Sequence, residues 1–266
     1  MKSDHDHAVV VFAMTATGLA VARSLAPRGI ATYGVDSKRW EVGHHSAHVK
    51  RSEFAYLEHG DRLATAVCKW ASGQEAPPVL FPADDPSCEF LTEYYEELSR
   101  SCLLSPGYGT EAPTLMLNKS DFYRHCRRLG LDLPRTVFPN DVAELEAQSG
   151  DLQFPVILKP AHGHLWRKRF HGKKVLEVNS RDELKRTFEG LGDLKTGMTV
   201  QEVIPGPERE IFVCGAYTTE DGEAHTIFTA RKTRQYPPRF GSGSLLCSET
   251  NETIAKLSME DRESVV

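Results

Sequence analysis

The stretch FPVILKPAHGHLWRKRFHGKK, Phe154 to Lys174, constrains this chain more than any other. Val156-Ile157-Leu158 is a short apolar strand running into Lys159, and Pro160, which has no amide donor, ends the ladder there. Gly163 and Gly172 bound the loop that follows, with His162, His164, Arg167, Lys168, Arg169, His171, Lys173 and Lys174 in and around it. A lysine fixed at a strand end, beside a cationic loop with glycines, suits a polyphosphate. Lysine supplies a point charge, and glycine lets backbone N–H groups approach the oxygens. A solvated basic surface loop accounts for the same residues, so the decision rests on what surrounds them.

The chain has 266 residues and a formal net charge of -5, which argues against a general binder of nucleic acid and makes the basic loop a local exception. The six cysteines are widely spaced with no C-x-x-C pair, which disfavours a zinc knuckle or a disulfide framework and suits a reducing cytoplasm, the expected location. No signal peptide is expected, and the apolar run Ala8 to Met14 is too short to span a membrane. Asp4-His5-Asp6-His7 has metal-ligating residue types but reads as a polar tail at a chain end.

Val9 to Phe12 reads as a buried parallel strand, Leu19 to Ala26 as a helix stopped by Pro27 and Gly29, and Ile30 to Val35 as a second strand ending at Asp36. Strand, turn, helix, strand opens a Rossmann-like unit. The dinucleotide version of the turn needs G-x-G-x-x-G. Here Ala13 and Thr15 hold the first two glycine positions and only Gly18 remains, so NAD or FAD is discounted although Asp36 is well placed for a ribose. Asp61 to Ala71 reads as a helix and Val79 to Pro82 as a strand. Asp85 or Ser87 is expected to cap a helix from Cys88 to Ser99, and Cys102 to Leu104 to form a last strand. Ser105-Pro106-Gly107-Tyr108-Gly109-Thr110 breaks the pattern and places a domain boundary near Ala112.

Beyond it, Asn118 caps a helix whose stripe is Phe122, Cys126 and Leu129. Lys119 sits in its first turn, where a cation opposes the helix dipole and so hints at another use. Leu133 to Phe138 is extended, and Asp141 to Gln148 is a short helix. Val175 to Val178 pairs back on the opening strand, and Ser180 with Glu183 forms a capping box. Met198 to Ile204 is a strand stopped by Pro205-Gly206-Pro207. Ile211 to Tyr217 and Thr226 to Thr233 form a hairpin about Asp221-Gly222. A loop from Gln235 to Ser244, Leu245 to Cys247, and a helix starting near Asn251 complete the chain.

The helix-opening lysine of LNKSDFYRHCRRLGLDLPRT, then FPVILKP, VQEVIPGPEREIFV and TARKTRQYPPRFGSGS, taken in that order, resemble an ATP-grasp domain. The nearest variety is similar to bacterial carboxylate–amine ligases of the D-aspartate ligase kind, and the first half resembles the preATP-grasp domain that precedes them. The resemblance implies an α/β chain with a Rossmann-like preATP-grasp domain over 1–112, followed by an incomplete α+β ATP-grasp fold over 113–266. It also implies roles. Lys119 and Lys159 would contact ATP phosphates, and His162, Gly163 and His164 would close over them. Gln201, Glu202, Val203 and Ile204 would meet adenine, and Glu210, or alternatively Glu208, the ribose. Arg231, Lys232 and Arg234 would face the γ-phosphate, or the carboxylate and acyl phosphate that form beside it.

The cofactors implied are ATP and Mg²⁺. The partners are a small-molecule carboxylate and an amine, with no nucleic acid, no membrane and a homodimer as the candidate assembly. The resemblance places metal ligands on a downstream acid and a later E-x-N motif. Glu249-Thr250-Asn251 has that spelling but follows the Gly-Ser loop too closely, and it reads as helix-capping polar residues. The expectation is therefore a ligase lacking its C-terminal metal-binding portion, inactive alone and with no assigned metal ligand. A non-catalytic nucleotide-binding module is the runner-up, and a dinucleotide oxidoreductase the third reading.

Overall fold

A computed structural model describes residues 7–160, 170, 174–219 and 223–263. The chain divides into two compact units, Met1–Leu117 and Asn118–Val266. The division comes after Leu117 because Ala112–Leu117, just past the Pro/Gly-rich break, is helical and clusters with the first unit.

The first unit is built on three parallel strands, β1 (Val9–Phe12), β2 (Thr32–Val35) and β3 (Val79–Pro82), in the order β2-β1-β3. Helices α1 (Ala16–Leu25), α2 (Asp61–Ala71), α3 (Asp85–Glu93), α4 (Tyr95–Leu98) and α5 (Ala112–Leu117) complete it. β1 is apolar along its whole length because both faces are covered. Val10 and Phe12 pack with Leu63, Val67 and Phe90 on one side, and Val9 and Val11 with Met14 on the other.

The turn after β1 keeps the tight shape of a glycine turn without its first two glycines. Ala13 lies at φ 70, the left-handed region that non-glycine residues seldom occupy, and a Cβ on Gly18 would stand 2.1 Å from the Ala13 carbonyl oxygen. Asp36 holds this turn, its carboxylate accepting from the Met14 and Lys38 amides. Two expectations change here. Asp84 rather than Asp85 or Ser87 is the cap of α3, accepting from the Ser87 amide, and the helix breaks at Tyr94. The strand expected at Cys102 to Leu104 reduces to a single bridge between Leu103 and Val79.

The second unit carries two antiparallel sheets. One has the order β4-β7-β5-β6, from β4 (Thr136–Val137), β5 (Val156–Lys159), β6 (Leu176–Val178) and β7 (Thr199–Glu202). Alternation gives this sheet two distinct faces. Val156, Leu158, Val178 and Val200 point into a core with Leu145 of α7 (Val142–Gln148) and Leu184 and Phe188 of α8 (Arg181–Glu189). The opposite face carries Ile157, Lys159, Thr199, Gln201, Thr136 and Glu177, as the register dictates. The remaining helix of this region is α6 (Lys119–Arg128); of its expected stripe Cys126 is buried and Leu129 is exposed.

The other sheet is β8 (Phe212–Thr218), β9 (Ala224–Tyr236) and β10 (Ser242–Ser248), followed by α9 (Glu252–Glu263). β9 runs beyond Thr233, where the sequence pattern ends, because Ser242 and Gly243 pair with Tyr236 and Gln235. Asn251 caps α9, its side-chain oxygen accepting from the Ile254 amide at 3.0 Å. The Asp221-Gly222 turn lies outside the described residues. Among the described residues no helix is long and apolar enough to cross a membrane.

Candidate nucleotide site

The polar face of the β4-β7-β5-β6 sheet is organised around Lys159. Asn118 caps α6 by accepting from the Ser120 and Asp121 amides, which makes Lys119 the first helical residue. Ser120 is buried and pins that turn to the sheet. Its hydroxyl donates to the Gly197 carbonyl oxygen at 3.1 Å and lies 3.1 Å from the Thr199 hydroxyl. Thr199 is the cross-strand partner of Lys159. One turn along the helix, the Tyr123 ring lies 5.6 Å from the Lys159 ammonium, within cation–π range. The start of α6 and the end of β5 are thus brought together, so Lys119 and Lys159 belong to one neighbourhood.

Behind the ammonium runs a chain of satisfied groups. Lys159 Nζ donates to Gln201 Oε1 at 2.5 Å, Gln201 Nε2 donates to Thr136 Oγ1 at 2.9 Å, and Thr136 Oγ1 donates to the Pro134 carbonyl oxygen at 2.6 Å. Gln201 is only 3% exposed. Its side chain, expected to help meet adenine, is instead engaged by Lys159 and Thr136. The reason is its register opposite Ile157 on the inward polar face. Glu202 accepts from the Gln153 amide at 2.7 Å, its own amide donates to the Arg135 carbonyl oxygen, and the Val203 amide donates to that of Pro155. Ile204 is exposed just past the ladder.

The cations of β9 divide between faces because neighbours in a strand point to opposite sides. Arg231 makes a two-pronged pair with Glu249, at 2.7 Å and 2.6 Å, and stacks over Phe212. These hydrogen bonds hold the Glu249 carboxyl below its ordinary value and raise the Arg231 guanidinium. Lys232 turns the other way and closes the β9–β10 turn, donating to Gln235 Oε1 and, at 3.0 Å, to the Gly241 carbonyl oxygen. It is a structural lock of that turn rather than a cation presented with its neighbours. Arg234 is exposed and makes no ion pair among the described residues.

The two candidate ribose acids also diverge. Glu208 accepts from the Arg239 amide at 2.6 Å, whereas Glu210 lies 3.9 Å from the Arg231 guanidinium. His162, Gly163 and His164 lie outside the described residues.

Among the described residues no group of acids, histidines and cysteines is placed to hold a metal ion. Both Glu249 oxygens are taken by Arg231, and the Asn251 oxygen caps α9, so this E-x-N does not fit a Mg²⁺ site. Sequence reasoning missed Thr136, Tyr123, Glu177 and Arg239. The period-2 pattern of β6 could have placed Glu177 on the polar face, but nothing in its spacing marked it as more than a surface acid.

No family model matches this chain. It is 26% identical over 187 residues to the D-aspartate ligase of Enterococcus faecium (strain Aus0004), an alignment covering 66% of this chain and 44% of that protein. A solved ADP complex of N5-carboxyaminoimidazole ribonucleotide synthetase has TM-score 0.69 at 13% identity, covering 98% of this chain and 62% of its own. The L-amino acid ligase from Bacillus licheniformis has TM-score 0.65 at 16% identity, covering 99% of this chain and 61% of its own. The chain thus spans under half the length of its curated relative and about three fifths of the solved structures that share its fold.

Proposed function

We propose that this chain is an ATP-grasp protein and forms the nucleotide-binding part of an ATP-dependent carboxylate–amine ligase acting through an acyl phosphate, a reading supported by its likeness to such ligases. The observation that carries the reading is the Lys159 ammonium, held by Gln201 on a polar sheet face beside the first turn of α6. Such a cation is already oriented before ligand arrives, which is how a fixed charge lowers a phosphoryl-transfer barrier.

In this reading Lys119 and Lys159 neutralise the phosphates, and the backbone of Glu202 to Ile204 meets adenine. Of the two candidate acids, Glu210 is preferred for the ribose because Glu208 is engaged by Arg239. A substrate carboxylate oxygen attacks the γ-phosphorus as the bond to the β–γ bridging oxygen breaks, giving an acyl phosphate and ADP. The amine nitrogen then adds to the acyl carbon, phosphate leaves with the C–O electron pair, and the amine loses its proton. Mg²⁺ would offset charge on the transferring group. The described residues supply no fitting ligands, so no step here is routed through it.

A second reading, nucleotide binding without turnover, is favoured by the engagement of Glu249 with Arg231. Two measurements test the proposal. Thermal melts with ATP, against NADH as control, should show protection by ATP alone; protection by NADH alone would overturn ATP binding. Incubation with ATP, Mg²⁺, D-aspartate (first choice because of the relative's name) and hydroxylamine traps any acyl phosphate as the hydroxamate. Hydroxamate supports the ligase reading. ATP binding with no hydroxamate across a panel of amino acids supports the second.

A further inference from the structure

The phrase YPPRFG, Tyr236 to Gly241, has no role in the scheme above, yet the fold devotes several polar groups to shaping it. Arg239 sits at φ 73, a left-handed conformation that a non-glycine residue adopts at a cost. Its amide donates to the Glu208 carboxylate at 2.6 Å, and its carbonyl oxygen accepts from the Gln235 side-chain amide. Lys232 anchors the turn again at Gly241, where a Cβ would lie 2.0 Å from the Pro237 carbonyl oxygen. A glutamate, a glutamine and a lysine from neighbouring elements therefore fix the backbone of one turn and aim one side chain.

That side chain reaches the polar face of the other sheet. Arg239 Nη2 donates to Glu177 Oε1 at 2.7 Å. Glu177 lies opposite Ile157 on β6, on the face that also carries Lys159 and Gln201. Glu177 is largely covered, its side chain 18% exposed, whereas the arginine side chain is 66% exposed. A guanidinium presents five N–H donors in a planar fork, and among the described residues Glu177 is the only acid paired to it. A second oxyanion can bind at the open edge while Glu177 keeps the plane oriented.

Resting on the ATP-grasp reading, we propose that Arg239 is the oxyanion-binding cation of the β9–β10 hairpin, with Glu177 as its positioning residue. It takes the place that the resemblance had given to Lys232. The oxyanion is either the polyphosphate of the nucleotide or the carboxylate of the acid substrate.

Isothermal titration of the wild-type chain, Arg239→Ala, Arg239→Lys and Glu177→Gln with ATP, AMP, tripolyphosphate and D-aspartate tests this, with circular dichroism to establish that each variant is folded. The expected result is at least a tenfold loss in Arg239→Ala toward one oxyanion source. Only partial rescue is expected in Arg239→Lys, which lacks the fork, and a smaller loss in Glu177→Gln. Loss toward ATP and tripolyphosphate but not AMP assigns the polyphosphate, and loss toward D-aspartate alone assigns the carboxylate. A folded Arg239→Ala that binds every probe within twofold of wild type overturns the inference and leaves ATP binding intact. Tripolyphosphate binding that needs Arg239, in a chain indifferent to ATP, overturns the nucleotide reading and keeps the inference. A wild-type chain that binds none of the probes overturns both.

Discussion

Lys159 and Gln201 stand diagonally across adjacent antiparallel strands, and the amide oxygen of Gln201 receives the lysine ammonium while its nitrogen is held by Thr136. This fixes a charge in place from the sheet side, with no acid paired to it among the described residues, and so leaves it open to an external anion.

Gln201→Leu should therefore act in two ways. It removes both hydrogen bonds of a buried group, which costs about 1–3 kcal/mol of stability, and it releases the ammonium, so ATP affinity falls as well. Gln201→Glu should keep the fold but pair with Lys159 as an internal counter-ion and lower ATP affinity without a comparable loss of melting temperature. Equal ATP affinity in wild type and Gln201→Glu would show that ATP binding does not draw on an uncompensated Lys159 charge.

The Arg231–Glu249 pair predicts a pH dependence. Because Arg231 hydrogen bonds lower the folded-state pKa of Glu249 below its ordinary 4.5, the pair stabilises the fold above that value and its contribution is lost as pH falls through the folded pKa. The melting-temperature gap between wild type and Glu249→Gln should be present at neutral pH and close in acid below pH 4.5. Both side chains are partly exposed, so salt should narrow it too. A gap unaffected by both acid and salt would contradict this account.

Gly241→Ala forces a Cβ into the Pro237 carbonyl, so the β9–β10 turn must shift and take Arg239 with it. The expected outcome is loss of hydrogen-exchange protection at Arg239 and Gly243, while the β5 and β7 amides stay protected. Unchanged protection at the turn would show that it tolerates the side chain.

Much of the architecture was legible because apolar runs and turn residues carry it. Val9 to Phe12, Asp61 to Ala71 and Val156 to Lys159 formed where periodicity and Pro160 placed them. Strand ends and caps were less so. The extension of β9 to Tyr236 depends on pairing with Ser242, and the Asp84 cap depends on a choice among adjacent polar residues that local sequence leaves nearly equal. At the candidate site, a strand-end lysine before a proline is a local signal, and it singles out Lys159. The contacts of Gln201, Lys232 and Arg239 are set by which face each occupies and by partners such as Thr136, Gly241 and Glu177, more than 60 residues away in the case of Thr136 and Glu177. No local pattern encodes those meetings.

Asp36 offers a prediction for the first unit. It accepts from the Met14 and Lys38 amides, so both oxygens shape the turn after β1 rather than awaiting a ribose. Asp36→Ala should lower stability by about 1–3 kcal/mol in denaturant melts. Neither wild type nor variant should be protected by NADH. Protection of wild type by NADH that disappears in the variant would restore the dinucleotide reading.

The most direct test of the central claim is calorimetric titration of ATP into wild type and Lys159→Ala, each shown to be folded. A charge-assisted phosphate contact contributes about 1.5–3 kcal/mol, so the account predicts ATP affinity reduced roughly tenfold to a hundredfold in a variant that keeps its circular dichroism. A folded Lys159→Ala that binds ATP as tightly as wild type would contradict it.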